Sequence, residues 1–278
     1  MKLIHLTDTH LAAPGEQLYG IDPRARLDAC IADINANHGD ADLAVLTGDI
    51  THFGDRASYE NAREALSRLS VPLHVLPGNH DHLRTFRAVF PEVPTDPRGN
   101  LQSVMDCDAG RLIFADTTAA GTHAGWYDEE RLDWLEAQFR ESGDRPVFLF
   151  MHHPPFRLGL PAMDRVALTQ AFEFLERMRP WLPRVRHLFF GHVHRPVSGS
   201  WLGVPFSTLR GTSHQVALDF AAEGGTAGSQ EPPAYAVVLI DEASVVVHTH
   251  DFLDDSPRFG LSDVGYGFWE EQEKRLAE

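Results

Sequence analysis

Cysteine is almost missing from this chain. Cys30 and Cys107 are the only two in 278 residues, which leaves no disulfide framework and no thiolate metal spacing. Cys30 falls in a helical pattern and Cys107 in a strand-like one, and both read as plain core or surface residues. Long apolar runs are lacking too, so no membrane span is visible, and no internal repeat is found. The opening residues, Lys2-Leu3-Ile4-His5-Leu6-Thr7-Asp8, become charged too quickly for a signal peptide, and a cytoplasmic protein is expected. Positive charge is scarce: 24 basic residues against 40 acidic ones leave a formal charge of −16, which disfavours a nucleic-acid polymer or an anionic membrane as partner. Apolar residues make up 43%, enough to bury the core of one large domain, or of one domain with a modest appendage. Histidine is plentiful at sixteen, with several beside Asp, Gly or Asn at the ends of apolar runs. Imidazole is the commonest nitrogen ligand for transition metals.

The segment Pro77-Gly78-Asn79-His80-Asp81-His82 follows the apolar run 73–76, and reads as a strand entering a loop. Gly78 lets the chain turn tightly, so that the next polar side chains point into one space. The same pattern recurs. A strand at 3–6 delivers Asp8 and His10, which the i, i+2 spacing puts on one side of an extended segment. Strands at 43–46, 147–151 and 187–190 end in Thr47-Gly48-Asp49, His152-His153-Pro154-Pro155 and Gly191-His192-Val193-His194. Helices at 23–38 and 56–69 alternate with the first three strands, the pattern of a parallel sheet whose ligand site lies off the strands' carboxyl ends. After a Pro-rich connection come strands near 102–105 and 111–116, a helix capped by Asp128 and reaching Arg140, and another at 167–178. Later strands near 197–201, 205–208, 215–218, 235–240 and 244–249 look antiparallel, and are expected to form a second sheet packed on the first. The Gly, Ala and Pro rich stretch 221–233 reads as a mobile loop. The acidic tail from Asp251 carries Phe252, Phe259, Tyr266, Phe268 and Trp269, which argues that it docks on the body or on another subunit.

Five strands thus end in polar clusters at one end of the expected sheets, which core histidines would not produce. In this order Asp-x-His, Gly-Asp, Gly-Asn-His-Asp, a His before Pro, and Gly-His-x-His resemble the calcineurin-like metallophosphoesterases over residues 1–195. Within them the chain further resembles bacterial glycerophosphodiesterases and class III cyclic-nucleotide phosphodiesterases. The features shared are Gly15-Glu16-Gln17-Leu18-Tyr19-Gly20, Met151-His152-His153-Pro154-Pro155, and Ser207-Thr208-Leu209 with Gly211-Thr212 before His214-Gln215-Val216. The resemblance implies an α/β fold, a four-layer αββα sandwich of two mixed sheets flanked by helices. Residues 1–200 would be the catalytic core, 201–250 second-sheet strands completing it, and 251–278 a tail for docking or oligomerisation.

It also implies two metal ions, one held by Asp8, His10, Asp49 and His194 and the other by Asp49, Asn79, His152 and His192, with Asp49 bridging. Nitrogen and oxygen donors without thiolate suit Fe, Mn, Zn or Co. Two ions roughly 3.5–4 Å apart can generate hydroxide and clamp an in-line displacement at phosphorus, so Asp49 counts as catalytic as well as ligating. His80 would contact the phosphate or assist the leaving alkoxide, and Asn79, His80 and His214 would meet the substrate. His153 is expected to be structural or to support a ligand, and Asp81 to orient an imidazole. His52, His82 and His123 receive no role. The expected activity is hydrolysis of small phosphodiesters such as glycerophosphodiesters, in a homo-oligomer. A 3′,5′-cyclic-nucleotide phosphodiesterase is the alternative, and a non-catalytic scaffold the third reading.

Overall fold

The computed structural model describes residues 1–222, 225–260 and 273–277. Strands covered on both faces need near-continuous apolar runs. β1 (Lys2–Leu6), β2 (Leu43–Thr47) and β3 (Leu73–Leu76) meet that need and run parallel to one another. They are linked by α1 (Pro23–Asn37) and α2 (Arg56–Leu66), and α3 (Leu83–Val89) follows β3. At the start of α1 the Asp22 side chain accepts from the Ala25 N–H at 3.0 Å, and Pro23 sits in the first turn, where its missing N–H has no helical partner to lose. Helical spacing then turns Leu27, Ile31 and Ile34 onto the sheet, against Ile4 and Leu6, and α2 and α3 add Tyr59 and Phe86 to that layer.

The second half builds β4 (Ser103–Cys107), β5 (Gly110–Ala115), α4 (Glu129–Glu141), β6 (Val147–Met151), α5 (Pro161–Asp164), α6 (Ala171–Met178), β7 (Val185–Phe190), β8 (Ser198–Trp201) and β9 (Val204–Ser207). Its six-stranded sheet has the order β4-β5-β6-β7-β9-β8, and Leu132, Leu135, Phe139 and Phe174 of α4 and α6 cover the outer face. Between the two sheets lie Leu3, Val45, Leu76, Phe114, Phe148, Phe150 and Phe189, all essentially buried. Each such side chain contributes about 1.5–3 kcal/mol by leaving water. The four layers are therefore helices, mixed sheet, mixed sheet, helices, as expected.

The last strands depart from expectation. β12 (Tyr235–Ile240) pairs antiparallel with β1, and β13 (Val245–His250) pairs with β12, so the first sheet reads β13-β12-β1-β2-β3. Of the described strands after β7, β8 and β9 lie in the second sheet and β12 and β13 in the first, which corrects the assignment of 201–250 to the second sheet alone. The reason lies in β12, which buries Ala236, Val238 and Ile240 between the sheets and Tyr235 and Val237 toward the helices. A strand apolar on both faces belongs beside a covered neighbour, and the half-exposed β13 takes the edge. The short β10 (Gln215–Val216) pairs with β11 (Gly228–Ser229), inside the stretch expected to be a loop. Phe252 stacks on Tyr235 with centroids 6.0 Å apart, whereas Phe259 is exposed, and Tyr266, Phe268 and Trp269 lie outside the described residues.

Candidate metal centre

The carboxyl ends of β1, β2, β3, β6 and β7 meet at one rim. There Asp8, His10, Asp49 and His194 offer ligand atoms within 4.8 Å of one another, and His152, His153 and His192 form a second such group. Asp49 lies between the groups: its Oδ2 is 3.5 Å from His10 Nε2 and 3.4 Å from His152 Nε2, and its Oδ1 accepts from the His80 N–H at 2.8 Å. Asn79 Oδ1 is 3.1 Å from His152 Nε2. All seven expected metal ligands are thus at this rim, and His80 beside them.

The local backbone is shaped for the purpose. Asp8, His10, Asp49, His192 and His194 have φ of 53°, 44°, 51°, 70° and 48°, the left-handed region that L-residues rarely enter. Such strain costs of order 1–3 kcal/mol per residue and is typical of functional sites. Gly48, Gly78 and Gly191 let neighbouring turns approach, because a Cβ at any of them would overlap His152, the Asp49 carboxylate or Thr7.

Hydrogen bonds on the far ring nitrogens fix which atoms face inward. His152 Nδ1 donates to the Thr47 carbonyl and His194 Nδ1 to the His214 carbonyl, both at 2.7 Å, which turns each Nε2 into the cluster. His153 is committed elsewhere, with Nε2 donating to the His123 carbonyl at 3.2 Å and Nδ1 2.7 Å from Thr117 Oγ1. These bonds give it a structural place and leave His152 with the inward nitrogen.

The donor set fits cations. Asp8 Oδ1 and His192 Nε2 are buried without a hydrogen-bond partner, and His194 Nε2 lies 3.1 Å from that same oxygen. Although burial pulls an imidazole down, the Asp49 carboxylate pushes His152 up to about 9, and Asp8 raises His194 in the same way. Burial would raise the Asp49 carboxyl, but the neighbouring His152 outweighs it and holds it well below the ordinary range. Burial keeps His10 and His192 well below the usual imidazole value, hence neutral and free to ligate. Oxygens and imidazole nitrogens converging on a space that stabilises positive charge suit transition-metal ions.

One expectation is overturned. Asp81 orients no imidazole; its carboxylate accepts from the Ile50, Thr51 and Gly78 N–H groups and from the Tyr59 hydroxyl at 2.8–3.3 Å, tying the loop after β2 to the loop after β3. Desolvation and the nearby Asp49 charge push it up to about 6. Other residues join the site without having been singled out. His52 stacks on His80 at 4.8 Å and puts Nδ1 3.1 Å from that of His10, and His123 bonds Asn79. The Tyr19 ring lies 4.7 Å from His214, which is itself 4.7 Å from His10. Both rings line a cavity of about 460 Å³ with Gln215, Thr226, Ser229 and Gln230. His82 turns away to Thr85. A lone histidine in a loop gives no periodic signal, so His52 and His123 could be found only once the loops were placed.

A fold of two mixed sheets between helices, with this cluster at the rim, defines a metal-binding phosphoesterase scaffold. The family described as calcineurin-like phosphoesterase matches residues 1–196, and the chain belongs to it. It is 42% identical over 269 residues to a probable cyclic nucleotide phosphodiesterase of Rhodopseudomonas palustris, covering 95% of this chain and 97% of the relative. It is 35% identical over 221 residues to the glycerophosphodiester phosphodiesterase GpdQ of Enterobacter lignolyticus, covering 78% and 79%. Among solved structures, a dimetal phosphatase from Danio rerio superposes with a TM-score of 0.69 at 15% identity, covering 91% of this chain and 96% of that one, a likeness of fold.

Proposed function

We propose that this protein is a metal-dependent phosphodiesterase that hydrolyses small phosphodiesters, with glycerophosphodiesters as the first substrate class. Asp8, His10, Asp49 and His194 would hold one ion and Asp49, Asn79, His152 and His192 the other, the ions being Fe, Mn, Zn or Co. When bound, two such ions lower the pKa of a water and stabilise the attacking and leaving oxygens of an in-line displacement. The reading rests above all on Asp49, whose Oδ2 lies 3.5 Å and 3.4 Å from inward nitrogens of two separate histidine groups.

The chain's own residues supply the rest. His80 Nδ1 donates to the His52 carbonyl at 2.9 Å, so Nε2 is the atom left to meet a phosphate oxygen or to hand a proton to the leaving alkoxide. Acid–base help of this kind is worth about 10²–10⁴-fold. Asn79 and His80 would line the phosphate side and His214 the side of the alcohol, next to the cavity that Tyr19 borders. Buried carboxylates carry their charge here without solvent screening, which strengthens their hold on cations.

A cyclic-nucleotide substrate is the second reading, favoured by the relative at 42% identity. Glycerophosphocholine and cyclic AMP hydrolysis, measured on one preparation, separates the two. Turnover of neither, in a chain that binds no stoichiometric metal, would leave the scaffold reading instead. We further propose that 1–200 carries the catalytic core, that 251–278 serves docking or oligomerisation, and that the protein acts as a cytoplasmic homo-oligomer. No helix among the described residues is long and apolar enough to cross a membrane.

A further inference from the structure

We propose that His123 is a positioning residue for Asn79: it turns the amide so that the oxygen, and not the nitrogen, faces the metal centre. The inference rests on the reading of Asn79 as a ligand. An amide side chain has two nearly isosteric ends, but only the oxygen carries lone pairs that a cation can use. Left to itself in water, the amide has little reason to prefer one orientation. Here Asn79 Nδ2 donates to His123 Nδ1 at 2.9 Å, while Asn79 Oδ1 is directed at His152 Nε2 at 3.1 Å. In the His123 tautomer that accepts from Asn79 Nδ2, a flipped amide would set its oxygen against Nδ1, two acceptors face to face.

His123 is exposed, so its place needs an anchor, and the loop joining β5 to α4 provides one. His153 Nε2 holds the His123 carbonyl at 3.2 Å, and Thr117 fixes the other nitrogen of His153. Gly125 lies so close to His153 that a Cβ there would overlap the ring, and the Gly125 N–H and carbonyl bond Ala167 and Thr169 at 3.2 and 2.9 Å. Trp126 N–H closes the base on the Thr117 carbonyl at 3.0 Å. The histidine that follows His152 in sequence therefore acts through this loop: His153 holds His123, and His123 holds Asn79. Groups that orient ligands in this way typically contribute about 10–100-fold to metal affinity.

The test is titration of the metal-free chain with Co²⁺, followed by calorimetry and by the visible spectrum of the bound ion. Wild type is expected to show two binding steps. Asn79→Ala should weaken one step, and His123→Phe, which cannot accept a hydrogen bond, should weaken the same step about tenfold and alter its spectrum. His123→Gln, whose Oε1 can accept from the Asn79 amide, should restore most of the affinity. Thermal unfolding of the metal-free variants should match wild type, which keeps a folding defect from imitating the effect. The inference is overturned if Asn79→Ala weakens one step and His123→Phe leaves both steps and the spectrum unchanged. If instead wild type binds no ion, or Asn79→Ala leaves both steps intact, the ligand assignment fails and the inference falls with it.

Discussion

Glycine 78 shows how closely single residues are fitted at this rim. A Cβ there would enter the Asp49 carboxylate and crowd the Asp49 amide, with His152 behind them. Gly15 has a positive φ, +83°, but faces open space, so its constraint is the backbone and not a neighbour. Gly78→Ala should therefore abolish metal binding and activity, whereas Gly15→Ala should cost only about 1–2 kcal/mol of backbone strain and leave turnover intact. Denaturant unfolding and a phosphodiesterase assay on both variants check the contrast. Much of the candidate site was legible at this scale. Asp8, His10, Asp49, Asn79, His152, His192 and His194 stand just past apolar runs, and the end of a strand fixes where the next side chains go. Asp81 was misread because it serves backbone amides, and no residue pattern marks an acceptor for a neighbouring loop's N–H groups.

Among the elements, α1 carries the loop of β1 back to β2, and its start is capped by the Asp22 side chain, which accepts from the Ala25 N–H. Replacing an N-cap acid with alanine costs about 1 kcal/mol, so Asp22→Ala should lower the unfolding midpoint without changing metal content. A loss of bound metal in that variant would show that the cap supports the site and not only the helix. The longer helices and strands are legible from period and caps, with small errors at the ends: the second helix stops at Leu66 and the helix before β7 begins at Ala171, whereas the short α3, α5 and β11 carry too few residues to show a period and were not read. Strand partners were not legible. The unbroken apolar run 235–240 shows a strand covered on both faces but not which strand lies alongside, and only the assembled fold sets β12 against β1.

For the molecule as a whole, the interior between the sheets contains histidines as well as apolar side chains. His74 stacks on Phe114 at 3.7 Å, and His187 lies 2.9 Å from Ser207 Oγ. Desolvation lowers each from 6.5 to about 4, so both stay neutral in the folded state. Between those two values the unfolded chain binds more protons than the folded one, and stability falls as pH drops through that window. At about 1.4 kcal/mol per pH unit, each histidine contributes at most roughly 3 kcal/mol to the loss. His74→Phe should flatten the decline between pH 6.5 and 4, as read by urea unfolding across the range; an unchanged slope would show that His74 takes up protons without unfolding.

The proposed binding of two cations by these seven side chains is tested most directly by counting the metal. Elemental analysis of wild type and Asp49→Ala, loaded with Mn²⁺ and freed of excess, should give two ions per wild-type chain and essentially none in the variant. Equal metal content in the two proteins would contradict the bridging carboxylate and the centre built around it.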